Sequence, residues 1–216
     1  MSYPSFLARL RQLPADPALP PQLLQTRQWD GPLCRVRLDN TGSSPEAVRH
    51  WRLFEGALGL SPDAAIYGEG FQMLAQTMGS WQAPEPVGRC PDAGVYRITE
   101  DDGYHTVHNL LLVACEGGWL LLAFASCHRF GGEFRLYPDG RLEIVMNAEG
   151  RTLAPGQHWQ SEALICLEGP DREALLGSLA DYIEAEHPSL VADLAARPSG
   201  WCSWYHYYAD VSAADI

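Results

Sequence analysis

The sequence predicts a mainly β protein, an antiparallel sandwich closed off by one helix. Three observations carry that prediction. From Gly94 to Leu167, short apolar runs alternate with polar, Gly-containing turns: Asp101-Asp102-Gly103, Glu116-Gly117-Gly118 and Tyr137-Pro138-Asp139-Gly140. After Pro170 the period changes, and Leu175, Leu176, Leu179, Tyr182 and Ile183 recur at helical spacing behind Gly169-Pro170-Asp171. Hydrophobic residues make up 46% of the 216-residue chain and charged ones 19%, the balance of a folded domain with a sizeable core.

The elements follow in order. Residues 1–30 are rich in Pro and Leu and show little periodicity; a short helix from Ser5 to Gln12 is the one element expected there. Leu33 to Asp39 alternates and ends in Asn40-Thr41-Gly42, a strand running into a turn. Ala47 to Phe54 alternates again, so the two are expected to pair as a hairpin across Asn40 to Pro45. Residues 55–92 are irregular, with Gly56, Gly59, Gly68, Gly70 and Gly79 among their glycines and the aromatics Tyr67, Phe71 and Trp81. That composition fits a functional loop and, equally, a strand-rich edge with irregular turns. Val95 to Thr99, Thr106 to Ala114, Trp119 to Ser126, Gly132 to Leu136, Arg141 to Met146 and His158 to Leu167 read as strands, and Pro170 to His187 as a helix.

Charge and cysteine usage narrow the function classes. A formal charge of −12 with scattered basic residues excludes a nucleic-acid surface. No apolar run reaches the 18 or so residues of a membrane span, and the N-terminus lacks a basic stretch ahead of an apolar core, so a cytoplasmic location is expected. Cys34, Cys90, Cys115, Cys127, Cys166 and Cys202 form neither C-x-x-C pairs nor a disulfide framework, and no cofactor motif is present. His105 and His108 lie three apart on a strand and should point to opposite faces, a poor metal pair. Asp101-Asp102 before Gly103 is accounted for by turn chemistry, so no catalytic constellation is predicted within these residues.

The closing stretch is of another kind. Trp201, Trp204, Tyr205, Tyr207 and Tyr208 crowd the segment after Pro198-Ser199-Gly200. Read as a strand, Trp201, Ser203 and Tyr205 share one face and Cys202 and Trp204 the other. An aromatic face of this kind packs as core or serves as a sugar platform, its rings against pyranose C–H groups and its hydroxyls bonding those of the sugar. Ser212 and Asp215 then read as the N-cap and first turn of a helix.

Gly200-Trp201-Cys202-Ser203-Trp204-Tyr205-His206-Tyr207-Tyr208-Ala209-Asp210-Val211-Ser212 resembles the first strand of the catalytic barrel in glycoside hydrolase family 36, the α-galactosidases (melibiases) and raffinose-synthase-like enzymes. The resemblance implies an N-terminal β-supersandwich of the galactose-mutarotase type over residues 1–170, a helical linker over 171–197, and the first strand and helix start of a truncated (β/α)8 barrel over 198–216. It implies that Trp204 and Tyr205 line the sugar subsite. Gly70-Phe71-Gln72-Met73 resembles the family's aromatic-Gln-Ser-Trp element, with Met73-Leu74 in place of Ser-Trp, and implies that Phe71 walls the galactose pocket.

On this resemblance the parent protein is a retaining enzyme acting on α-galactosides. Its two catalytic Asp residues lie on later barrel strands, and a barrel takes about 250 residues. Retention needs two carboxyl groups about 5–5.5 Å apart, which these 216 residues are not expected to supply. The chain alone is therefore expected to be inactive, to need no cofactor, and to pack on a barrel that completes it, in a monomer or a homo-oligomer. The competing reading is a stand-alone carbohydrate-binding or structural β-sandwich without catalysis.

Overall fold

The computed structural model describes residues 5–14, 16, 18–88, 103–188, 200 and 202–215. Within them the chain is mainly antiparallel β: twelve strands hydrogen-bonded into one sheet that curls around a single large core. The predicted strand Val95 to Thr99 and the Asp101-Asp102 turn lie outside the described residues.

Helix α1 (Phe6–Gln12) forms where expected, Ser5 capping it by accepting from Ala8 N–H at 3.1 Å. The next element was not expected. Strand β1 (Leu23–Asp30) pairs with β2 (Leu33–Asn40) across the two residues Gly31-Pro32, Gly31 having φ 55. Its alternation escapes a hydropathy reading because polar side chains occupy inward positions. Gln25 accepts from Trp51 Nε1 at 2.7 Å, and Arg27 donates to the carbonyls of Leu13, Pro14 and Leu53 with its guanidinium over the Phe54 ring.

The expected hairpin between residues 33–39 and 47–54 does not form. One edge of β2 is taken by β1 and the other by β11 (His158–Gln160) and β12 (Leu164–Gly169), which leaves no ladder for a third partner. The chain instead crosses over. The Asn40 side chain donates to the carbonyls of Ser44 and Leu153, and β3 (Glu46–Ala57) pairs with β10 (Arg141–Leu153).

Of residues 55–92, the described part, 55–88, forms a strand-rich edge. Strands β4 (Ile66–Glu69), β5 (Ala75–Gly79) and β6 (Pro84–Gly88) form a meander, and the loop between β4 and β5 carries Phe71. Strand β7 (His105–Cys115) turns through Glu116-Gly117 into β8 (Gly118–Phe124). Strand β9 (Gly131–Leu136) turns through Pro138-Asp139-Gly140 into β10, both much as predicted.

Most core side chains form one cluster shared by β2, β3, β7, β8, β9, β10 and β12, among them Trp51, Phe54, Leu111, Leu122, Phe134 and Ile144. A second, smaller cluster lies on the other face of β7, β8 and β12, where α2 (Arg172–Glu186) sets Leu175 and Leu179 against Leu112, Leu121 and Ile165. Strands buried on both faces read as unbroken apolar runs, and Leu110 to Val113 and Leu120 to Phe124 do so. Asp171 caps α2, accepting from the N–H groups of Glu173 and Ala174.

The aromatic terminus is not a strand. Trp204–Tyr207 forms one helical turn, α3, followed by a 3-10 turn over Tyr208–Asp210. A strand needs a neighbour to satisfy its backbone, and no described strand pairs with this segment; bonds from the His206 and Tyr207 N–H groups to the Ser203 carbonyl satisfy it locally. Asp215 accepts from both the N–H and the hydroxyl of Ser212 across a turn at residues 213–214. The helix start expected there does not form among the described residues, and the Ser212 hydroxyl donates where an N-cap would accept.

Candidate functional site

Strand β7 changes partner part-way along. Residues 110–115 pair with β8 and residues 105–108 with β9; between them Asn109 takes a left-handed conformation, φ 57. The loop from Ala125 to Phe130, which joins β8 to β9, spans this fork. Beside it lies a cleft of about 630 Å³.

Strand alternation decides what faces the cleft. Tyr104, Thr106 and His108 line it from β7 and the residue before it, whereas His105 points away and its Nε2 lies 2.8 Å from Thr77 Oγ1. The two histidines therefore do face opposite sides. From β9 come Glu133 and Arg135, and from β10 Asn147. Phe71 leans in from the β4–β5 loop, its ring edge-on to His108 at 5.6 Å between centroids.

The floor is ionic and buried. The Glu133 carboxylate accepts from Arg135 Nη2 at 2.8 Å and from Asn147 Nδ2 at 2.9 Å. Arg135 is held from behind by Glu143 at 3.6 Å, and its guanidinium sits 5.0 Å from the centre of the Tyr104 ring. Burial disfavours the Arg135 charge, but Glu133, Tyr104 and Glu143 outweigh it, so its pKa stands above the ordinary arginine value. Glu143 is in turn paired with Arg141 and Arg52, and both reach Glu55. This chain of charges fixes the geometry of the floor.

The loop wall has its own anchor. Glu162, buried in the break between β11 and β12, accepts from the Ser126 hydroxyl and from the N–H groups of Arg129 at 2.8 Å and Phe130 at 3.2 Å. Burial alone would raise the Glu162 pKa. The Ser126 hydroxyl and the Arg129 and Phe130 N–H groups, together with the nearby His128 N–H, more than offset that and hold it below the ordinary carboxylate value. Gly132, under the loop, has no room for a side chain, since a Cβ there would lie 2.1 Å from the Phe124 ring.

Of the residues expected from sequence to line a sugar site, the cleft receives Phe71. Trp204 and Tyr205 are not among its lining residues; they stand on α3, Tyr205 at 86% exposure, with Trp204 edge-on to Tyr208. Glu133, Arg135 and Asn147 escaped the sequence reading. Their signal was there: Glu133-Phe134-Arg135-Leu136 puts two charges on one face of a strand whose other face is core. Among the described residues no group of three or more His, Cys, Asp or Glu is placed to hold a metal ion, and no helix is long and apolar enough to cross a membrane.

No family model matches the chain. Among solved structures, a glycoside hydrolase family 36 α-galactosidase from Geobacillus stearothermophilus, in complex with 1-deoxygalactonojirimycin, resembles it with a TM-score of 0.39 and 11% identity. The match covers 69% of this chain and spans only 22% of that structure.

Proposed function

We propose that these 216 residues are the N-terminal, non-catalytic portion of an α-galactosidase-like retaining glycoside hydrolase. The observation that carries the reading is the Gly200 to Ser212 motif, with its two Trp at fixed offsets, placed after a mainly β domain and a connecting helix. In the intact enzyme Trp204 and Tyr205 would line the sugar subsite, and Phe71 would reach it from the β domain. Their exposure here fits side chains whose partners belong to a barrel, and the α3 turn would extend into a strand once neighbouring strands offered it a ladder. The catalytic carboxylates belong to that barrel. A cytoplasmic location goes with this reading.

The test is turnover of nitrophenyl α-galactoside. The 216-residue chain releases no nitrophenol, whereas a chain extended by the downstream reading frame, with two Asp at barrel strand ends, does. Turnover by the short chain would refute this placement of the active site, and a natural stop codon directly after Ile216 would refute the enzyme reading.

A further inference from the structure

The geometry points to a second carbohydrate site, in the β domain itself: the cleft at the β7 fork takes an uncharged pyranose between Phe71 and the Glu133–Arg135–Asn147 floor. This does not rest on the C-terminal motif.

Three observations carry it. The first is the floor. The Glu133 and Arg135 side chains are 10% and 8% exposed, so both have lost most of their hydration. A buried ion pair adds little stability over apolar residues of the same volume, so stability alone does not account for one kept on a sheet face beneath an open hollow. Its orientation is fixed from both sides, Asn147 bonding the carboxylate and Glu143 backing the guanidinium. That is the rigidity a binding group requires.

The second is the wall. Phe71 presents an apolar ring at 57% exposure on a surface loop, at the mouth of a polar cleft. A flat ring beside planar carboxylate, guanidinium and amide groups matches a pyranose, whose C–H face stacks while its vicinal hydroxyls take paired hydrogen bonds. Glu133 and Arg135 neutralise each other, so the floor itself favours a neutral polyhydroxylated ring. The wall adds Arg49 and Arg129 against Glu149, an excess of one positive charge, and titration with inorganic phosphate tests whether that wall outweighs the floor.

The third is Gly131, which lines the cleft and pairs with Asn147 across the β9–β10 ladder. Its φ lies outside the left-handed range, and a Cβ built on it meets nothing within 4 Å. Backbone geometry and packing thus leave this position open to a side chain, and glycine keeps the cleft clear. A volume of about 630 Å³ lies within the ordinary range of small-molecule sites.

The experiment is calorimetric titration of the 216-residue chain with galactose, glucose and methyl α-galactoside up to about 20 mM. At least one should bind saturably, with Kd in the millimolar range or tighter. Gly131→Leu, which fills the cleft, and Phe71→Ala, which removes the wall, should each weaken binding about tenfold or more. Both should unfold at nearly the wild-type temperature, as neither position is in the core. If Gly131→Leu fails to fold, Gly131→Val takes its place, because Phe71 also belongs to the subsite proposed with Trp204 and Tyr205 and only the Gly131 variant is specific to this cleft. No saturable binding of any sugar overturns the proposal, as does binding that neither variant diminishes. Binding of inorganic phosphate with no sugar binding overturns it too, making the cleft an anion site. None of these results bears on the barrel motif, whose test is turnover by the extended chain.

Discussion

Replacing Glu162 by Gln isolates the charge that holds the loop over the cleft. The side chain keeps its length and shape, so no cavity opens. The wild-type carboxylate accepts three bonds, from the Ser126 hydroxyl and the Arg129 and Phe130 N–H groups. In the variant the amide oxygen can serve the two N–H groups, and the Ser126 hydroxyl can turn to accept from the amide nitrogen. What is lost is charge assistance. Bonds to a charged group contribute about 1.5–3 kcal/mol and neutral ones about 0.5–1.5, a difference of about 1–1.5 kcal/mol each, so three bonds weakened together cost about 3–4.5 kcal/mol. For a chain of this size that lowers Tm by about 6–18 °C.

The pH dependence is the sharper readout. Since the Glu162 pKa is lower in the folded state, the unfolded chain takes up its proton first as pH falls. The advantage over the Gln variant is therefore fully present above the unfolded value of about 4.5 and shrinks as pH falls through the folded value. Urea unfolding followed by Trp fluorescence at pH 7 and at successively lower pH measures it. A Gln variant as stable as wild type at pH 7, or a difference unchanged down to about pH 3, would refute the account.

Two further outcomes test the packing. Leu179→Ala empties the centre of the α2 contact, where Leu179 is 5% exposed, and should cost about 2–4 kcal/mol in urea unfolding while leaving binding in the distant cleft unchanged. Gly132→Ala drives a methyl into the Phe124 ring and should destabilise by about 1–3 kcal/mol, whereas Gly131→Ala one residue earlier should stay within about 0.5 kcal/mol of wild type; equal effects of the two would show that the Phe124 contact is not what demands glycine.

Elements whose signal is local were legible in the sequence. The Ser5 cap and α1, the two Gly-bearing hairpins and the capped α2 each declare themselves within about a dozen residues. What was hidden depends on distant partners. Strand β1 conceals its alternation because Gln25 and Arg27 face inward, and they do so at low cost only because Trp51 and the carbonyls of Leu13, Pro14 and Leu53 are there to receive them. The mispaired hairpin has the same origin. Nearness in sequence favoured β2 with β3, but a two-residue turn gave β2 an earlier neighbour and β11 and β12 gave it two late ones, so β3 had to look across the core to β10.

The candidate site follows the same logic. Phe71 was visible as an aromatic in a Gly-rich loop, but nothing local says which cleft it borders. That is decided by Asn109, whose left-handed turn lets β7 pass from β9 to β8 and leaves the Ala125 to Phe130 loop to bridge the gap. The loop would expose unpaired N–H groups at that point unless something accepted from them. Glu162 does so because the single strand expected from His158 to Leu167 is broken at Ser161, which bonds to Val36 and frees the next residue to turn toward the loop. A strand switch, a broken strand and a buried carboxylate thus hold the cleft open together. Each is an exception to regular pairing, which is why a reading built on periodicity passes over all three.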